Sequence, residues 1–251
     1  MSTKAAALMN DLPPLPPRPT DGHKGTFGTV LVLGGCDADG QVMIGAPALT
    51  ALGALRTGCG LVKLAMPASV LASAIVMTPG ATGVPLPQGE DGVLRPSAVA
   101  STVDEAIETG RISALALGPG MGIGFEQQQV LIRLTAQDEV PLVIDADGLN
   151  NLAETPEFDA DLRAEAVLTP HPGEFARLAR ALDLDADPKD PKRREAAAEL
   201  LAQRLGCVVV LKGADTVVTN GAQTWVARYA NPVLATAGTG DVLTGVIASL
   251  I

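Results

Sequence analysis

The run Gly238-Thr239-Gly240-Asp241, followed by Val242-Leu243-Thr244-Gly245-Val246-Ile247, sets one acid between small residues and an apolar segment. Gly238 and Gly240 let a ligand approach the main chain closely. A helix opening at or just after Gly240 would aim its unpaired N–H groups back over the loop, where they and the helix dipole favour negative charge. Asp241 at that point reads as a base acting on a group about to meet phosphate. The alternative is an acid that only compensates the helix dipole.

Four other places carry residues able to do chemistry. Lys212 follows Val208-Val209-Val210-Leu211 and reads as a point charge for phosphate or as a solvated strand-end lysine. His171 sits in Thr169-Pro170-His171-Pro172-Gly173-Glu174, held stiff between two prolines, as a ligand contact or a structural group. Asp145 and Asp147 follow Leu142-Val143-Ile144 and share a face if the chain stays extended. They could hold magnesium through water, or cap the next helix. The run Gly118-Pro119-Gly120-Met121-Gly122-Ile123-Gly124 is not a Walker A loop, because no Gly-Lys-Ser/Thr follows its glycines, and it is not a clean dinucleotide fingerprint.

These groups need elements to position them. Short apolar runs at Thr29–Leu33, Leu61–Ala65, Ala114–Leu117, Leu142–Ile144, Ala166–Leu168 and Val208–Leu211 read as buried parallel strands. Helices are expected at Gly45–Thr57, Ser69–Met77, Pro96–Thr109, Phe125–Thr135, Glu174–Leu182 and Pro191–Leu205, the last capped by Asp190 and ended by Gly206. In the first, Ala46, Leu49, Gly53 and Ala54 form a small face suited to docking on a sheet. Thr78–Arg95 reads as turn-rich, Asp145–Asn150 as a polar loop, and Thr216–Val226 as a hairpin with a two-residue Asn220-Gly221 turn. Strands alternating with helices give an α/β fold with a mostly parallel sheet covered on both faces. Parallel strands end on one edge, so Gly34-Gly35, the Gly118–Gly124 loop, Asp145 with Asp147, the His171 turn and Lys212 should gather there.

Composition narrows the class. With 47% hydrophobic and 2% aromatic residues, aliphatic side chains must build the core. A net charge of −10 argues against a nucleic-acid or anionic-membrane partner, whose phosphates need lysine and arginine. Cys36, Cys59 and Cys207 are scattered and in no metal-binding pair, as in a reducing cytosol. Prolines interrupt the uncharged run from Leu64 to Gly89, which is therefore no membrane span. A soluble, cytoplasmic protein is expected.

Taken in order, Gly34-Gly35, Gly45-Ala46-Pro47, Gly118-Pro119-Gly120-Met121-Gly122, Asp145-Ala146-Asp147, Thr169-Pro170-His171-Pro172-Gly173-Glu174, Lys212-Gly213-Ala214-Asp215-Thr216 and Ala235-Thr236-Ala237-Gly238-Thr239-Gly240-Asp241 resemble the motifs of the ADP-dependent NAD(P)H-hydrate dehydratases. The resemblance covers Gly22 to the C-terminus. It implies a ribokinase-like three-layer sandwich over residues 21–251, preceded by a Pro-rich arm over residues 1–20. It also implies the substrate, the S form of hydrated NADH or NADPH, with ADP as phosphoryl donor and magnesium present. The ring hydroxyl would be phosphorylated and phosphate eliminated. Asp241 would be the general base. Ala46, Gly122, His171 and Asp241 would contact the hydrated dinucleotide, and Lys212, Gly213, Ala214, Asp215, Thr216 and Gly240 the nucleotide. No metal ligand is assigned, with Asp145 and Asp147 the candidates. Relatives continue beyond the helix that Asp241 opens, so a truncated C-terminus is expected at Ile251. The family's companion epimerase would be a separate protein, and a homo-oligomer is expected. A vitamin-precursor kinase of the same fold is the alternative activity, and a non-catalytic nucleotide-binding module the other. Such kinases often carry Thr-Pro-Asn where this chain has Thr169-Pro170-His171.

Overall fold

The computed structural model describes residues 14–15, 17–38, 40–90 and 92–251. Most of the arm expected over residues 1–20 lies outside them. Of its described part, Arg18 donates to the Gly58 carbonyl at 2.7 Å and lies 3.6 Å over the Phe27 ring.

Eleven strands form among these residues: β1 Thr29–Leu33, β2 Cys36–Ala38, β3 Gln41–Met43, β4 Leu61–Pro67, β5 Thr82–Leu86, β6 Ala114–Leu117, β7 Leu142–Ile144, β8 Ala166–Leu168, β9 Val208–Leu211, β10 Asp215–Thr219 and β11 Thr224–Arg228. The helices between and after them are α1 Gly45–Thr57, α2 Ala68–Met77, α3 Pro96–Gly110, α4 Phe125–Thr135, α5 Asp147–Glu154, α6 Phe158–Asp161, α7 Pro172–Ala181, α8 Arg194–Leu205 and α9 Thr239–Ala248. Nine strands make one sheet in the order β11-β10-β9-β8-β7-β6-β1-β4-β5. All its pairings are parallel except β9–β10 and β10–β11.

The alternation along each strand sorts the core. Leu31, Leu33, Leu115, Leu117, Leu142 and Ile144 pack on one face with α3 to α8. Val30, Val32, Ala116 and Val143, the residues between them, pack on the other with α1, α2 and α9. The second face carries the smaller side chains, which lets its helices lie close to the strands. From β1 the sheet grows through β4 to β5, then resumes on the other side of β1 with β6. The switch point therefore lies between β1 and β6, where open α/β sheets form a ligand crevice beyond the strand ends.

Several sequence expectations change. Thr78–Arg95 contains β5, an edge strand pairing only with β4, so Gly83 and Pro85 are tolerated there. The helix after β7 begins at Asp147, inside the expected loop. The α7 helix starts two residues earlier than expected, at Pro172, and α8 starts three residues later, at Arg194. Thr219 pairs with Thr224, so the hairpin loop holds the four residues Asn220 to Gln223 rather than two. The Asn220 side chain explains this, accepting from the Ala222 and Gln223 N–H groups at 3.0 and 2.8 Å. The small face of α1 docks on a helix as well as the sheet: a side chain at Gly53 would meet the Val242 carbonyl of α9 at 2.5 Å, and one at Gly245 of α9 would overlap the Thr50 carbonyl.

Candidate functional site

The site is built from the carboxyl ends of β1, β6, β7, β8 and β9 together with the first turn of α9. Glycine makes the loops compatible. Gly118 (φ 111°) leaves no room for a side chain, because a Cβ would overlap the Asp145 carbonyl and approach the Gly148 nitrogen at 2.5 Å. Gly35 donates its N–H to the Pro119 carbonyl at 3.0 Å, tying the loop after β1 to the loop after β6 across the switch point. Ala46, in the first turn of α1, faces the same loop, where its methyl would lie 3.3 Å from a Cβ on Gly120.

Asp145 is the centre of the polar network. It is 1% exposed, and each carboxylate oxygen has one strong partner. Oδ1 lies 2.6 Å from the Lys212 ammonium, and Oδ2 accepts from the Thr244 hydroxyl at 2.7 Å. A charge this deep is tolerable only when paired and hydrogen-bonded. Asp145 therefore neither caps a helix nor stands free for a metal, and Lys212 is not a solvated strand-end lysine. The next residue, Ala146, has φ 52° and ψ −122°, a conformation that costs a non-glycine residue about 1–3 kcal/mol. It turns the chain so that Gly148 N–H reaches the Asp145 carbonyl at 3.0 Å and Asp147 points into the loop after β6.

Asp147 Oδ2 accepts the Gly122 N–H at 3.0 Å, and Asn151 Nδ2 donates to the Gly122 carbonyl at 2.8 Å. Both backbone groups of Gly122 are thus committed to α5, and a contact from this residue to a ligand would run through its bare Cα.

His171 is the N-cap of α7. Its Nδ1 accepts from Gly173 N–H at 2.9 Å and Glu174 N–H at 3.3 Å, while Glu174 Oε2 accepts the His171 N–H at 2.7 Å. This is a capping box with histidine in the usual serine position. The bonds to Nδ1 put the ring proton on Nε2, which lies 3.3 Å from Glu174 Oε1. Burial, then the charges of Lys212 and Arg177, lower the His171 pKa, so the ring is neutral near pH 7. Glu174 is pushed up to about 7, chiefly by burial, with Lys212 at 3.8 Å opposing the shift.

The α9 helix begins with Gly238 as N-cap, at φ 89°, and no side chain caps it. The N–H groups of Gly240 and Asp241 have no acceptor within the helix. A Cβ on Gly240 would lie 3.4 Å from Lys212 Nζ and 3.6 Å from Asp145 Oδ2. Gly240, Lys212 and Asp145 therefore converge, and free donors, a cation and a helix dipole meet in one place. Asp241 sits beside them, its pKa pushed up to about 6 by burial first and Asp145 second, with Lys212 working the other way. A half-buried carboxylate near neutrality is matched to proton abstraction.

Lys212, Gly240, Asp241 and His171, which were expected at one site from the sequence, are neighbours here. Ala46 and Gly122 flank them at the switch-point loop. Ala214 and Asp215 instead line a cleft of about 190 Å³ with Lys189, Pro191, Arg194, Glu195 and Arg228. Thr244 escaped sequence reading. Its only signal was position, four residues after Gly240 and so on the same helix face. Among the described residues no three acidic, histidine or cysteine groups gather as a metal cage.

A family model described as NAD(P)H-hydrate dehydratase matches residues 30–251. The chain belongs to that family. The bifunctional NAD(P)H-hydrate repair enzyme Nnr of Salinibacter ruber is 40% identical over 235 residues, covering 92% of this chain and 41% of that protein. Its counterpart in Moorella thermoacetica is 38% identical over 237 residues, covering 94% and 43%. The chain thus spans about two fifths of the length of these relatives. Among solved structures, the ADP/ATP-dependent NAD(P)H-hydrate dehydratase of Bacillus subtilis, co-crystallised with ATP and Mg²⁺, matches with a TM-score of 0.71 and 31% identity, over 98% of this chain and 78% of that one. A ribokinase-like superfamily protein of Enterococcus faecalis, at 24% identity and a TM-score of 0.71 over 94% and 75%, shares the fold. The dehydratase family and its ribokinase-like three-layer architecture are those expected from the motifs. No helix of the described residues is long and apolar enough to cross a membrane.

Proposed function

We propose that this protein repairs hydrated NADH and NADPH by a nucleotide-dependent dehydration, with ADP as donor. The observation that carries the reading is the convergence of Asp241, the uncapped start of α9 and Lys212. Hydroxide is a poor leaving group and a phosphate ester a better one. Asp241 takes the proton of the ring hydroxyl, whose oxygen attacks the terminal phosphorus of ADP as AMP leaves. The C–O bond to the new phosphate then breaks, a ring C–H proton is lost, and the double bond returns. Charge on the transferring phosphoryl group falls against the Gly240 and Asp241 N–H groups and the Lys212 ammonium.

The contacts are those the family motifs assign, and the closeness of Lys212, Gly240 and Asp241 supports them. Ala46 and Gly122, at the switch-point loop, and His171 and Asp241, beside Lys212, are assigned to the dinucleotide, with neutral His171 offering a polar ring edge. Lys212 and Gly240, which meet at the start of α9, are assigned to the nucleotide together with Gly213, Ala214, Asp215 and Thr216, of which Ala214 and Asp215 line the cleft beside Arg194. Magnesium fits as an ion carried by phosphate and water with at most one carboxylate, as it commonly binds. Asp147 Oδ1 is the freest candidate, its nearest partner being Asn150 at 3.5 Å. Bound there, the ion would supply further neutralisation of phosphate charge. The partner activity expected from the family, an epimerase interconverting the hydrate forms, lies within the same reading. Relatives named bifunctional carry two activities on one chain, so that partner can be fused or separate. We place the activity in the cytoplasm, in a homo-oligomer.

The test is recovery of the reduced-nicotinamide absorbance from hydrated NADH, with ADP and ATP run in parallel. Asp241→Asn should lower kcat by about 10²–10⁴, the usual worth of a general base. Wild-type protein that restores no NADH but releases a stable phosphate ester of a vitamin-like alcohol would make it a kinase instead.

A further inference from the structure

An anion-binding loop must turn its N–H groups outward and keep its carbonyls away from the ligand. One side chain, belonging to another element, holds the Lys212 and Asp215 carbonyls and that of Leu211 before them, while the Thr216 hydroxyl donates to the Gly213 carbonyl at 2.9 Å. Arg194, the first residue of α8, is half-buried and spends four of its five donor hydrogens on main-chain oxygens. Nη2 donates to the Leu211 carbonyl at 2.9 Å and the Lys212 carbonyl at 2.6 Å, and Nε to the Asp215 carbonyl at 3.1 Å. Nη1 donates to the Pro188 carbonyl at 2.8 Å, anchoring the guanidinium to the chain ahead of α8. The peptide plane then fixes the rest. With the Lys212 carbonyl aimed at Arg194, the Gly213 N–H in the same trans peptide points the opposite way. Neither it nor the Ala214 N–H finds an acceptor among the described residues.

Gly213 completes the fit, since a Cβ there would lie 2.6 Å from Arg194 Nη2. The absence of a side chain at residue 213 is what lets the guanidinium close over the loop. Lysine could not replace it, because a single ammonium cannot reach carbonyls on both sides of the turn in the fixed fork that guanidinium provides.

We infer that Arg194 is the positioning residue of the nucleotide loop: it holds the carbonyls of Leu211, Lys212 and Asp215 so that the Gly213 and Ala214 N–H groups and the Lys212 ammonium face the phosphates. This rests on the nucleotide reading of Lys212 to Thr216. Arg194 acts through the loop carbonyls it holds, so its effect belongs to nucleotide affinity rather than to the hydrated dinucleotide.

The experiment is calorimetric titration of ADP into the wild type, Arg194→Lys and a control, Arg204→Lys, paired with both KM values. Arg204 pairs with Asp159 at 2.6 Å on the same helix, away from the loop. The expected result is ADP binding weakened at least about tenfold in Arg194→Lys, with the KM for hydrated NADH within about twofold and the control unchanged, a split that general loss of stability would not produce. Should Arg194→Lys fail to fold, Gly213→Ala crowds the same guanidinium from the loop side and is expected to give the same split. ADP affinity unchanged in a folded variant, or both KM values rising together, would overturn the inference. Wild-type protein that does not bind ADP would overturn the nucleotide reading beneath it, and this shows before any variant is made.

Discussion

Gly245→Ala adds one methyl group and should disable the enzyme from a distance. Gly245 lies one helical turn beyond Asp241, on the face of α9 packed against α1. A Cβ there overlaps the Thr50 carbonyl oxygen and comes within 2.8 Å of the Ala54 nitrogen. Every one of these atoms is helix backbone, so no side chain can swing aside, and the two helices must part by about 1.5 Å to restore ordinary contact. Overpacking of this kind costs about 1–3 kcal/mol, and backbone against backbone belongs at the upper end. For a chain of this size about 3 kcal/mol lowers Tm by about 6–12 °C. The same shift carries Asp241 and the Gly240 N–H away from Lys212, and a misplacement of about 1 Å can cost about 10²-fold in rate. Gly45→Ala is the control, since nothing lies within 4 Å of a Cβ at that position and its φ is not positive. Thermal melts and kcat/KM on both variants make the comparison. If Gly245→Ala melts and turns over like Gly45→Ala, the close helix contact does not hold the base in place.

Further outcomes follow from the same geometry. The logarithm of kcat/KM should rise with pH, bend near the Asp241 pKa of about 6 and level above it, because only the ionised carboxylate accepts the hydroxyl proton. Stability should run the other way. Asp241 and Glu174 titrate near about 6 and about 7 when folded, against about 3.9 and about 4.3 in an unfolded chain. The native state therefore holds the extra protons between those limits and loses stability as pH rises through them. Melts at about pH 5 and about pH 8 read this, and Asp241→Asn should shrink the difference. Ala146→Gly should raise Tm by a few degrees: removing about 1–3 kcal/mol of strain outweighs the roughly 0.4–1 kcal/mol lost to a freer unfolded chain. A fall in Tm would show that Ala146 is not strained.

Much of this was legible in the chain because parallel strands announce themselves. Val208–Leu211 and Ala114–Leu117 are short, uniformly apolar and end in chemistry-bearing residues, so both their existence and their common edge could be read. The β5 edge strand could not, since its Thr82-Gly83-Val84-Pro85-Leu86 meets a neighbour on one side only and carries turn residues without penalty. The β2–β3 pair was missed for a related reason, being two three-residue strands outside the main sheet. At the site the residue types were visible while their partners were not. Asp145 offered a choice between metal and cap, but holds Lys212 and Thr244 across 67 and 99 residues of sequence. Arg194 carried no signal of its own within the expected helix Pro191–Leu205, although its contacts reach the end of β9 and the start of β10. Contacts closed only by tertiary packing leave no periodicity behind.

The Asp145–Lys212 pair has a consequence for how the site behaves between turnovers. The lysine is held by a buried counter-charge of its own, which restrains it from wandering into solvent. Arrival of a nucleotide then resembles a change of coordination around a fixed cation more than the capture of a mobile one. Part of the phosphate's attraction is offset by the aspartate already seated there. On the nucleotide reading proposed above, tight retention of the spent nucleotide would thereby be discouraged, and the pocket would meet the next molecule without rebuilding itself.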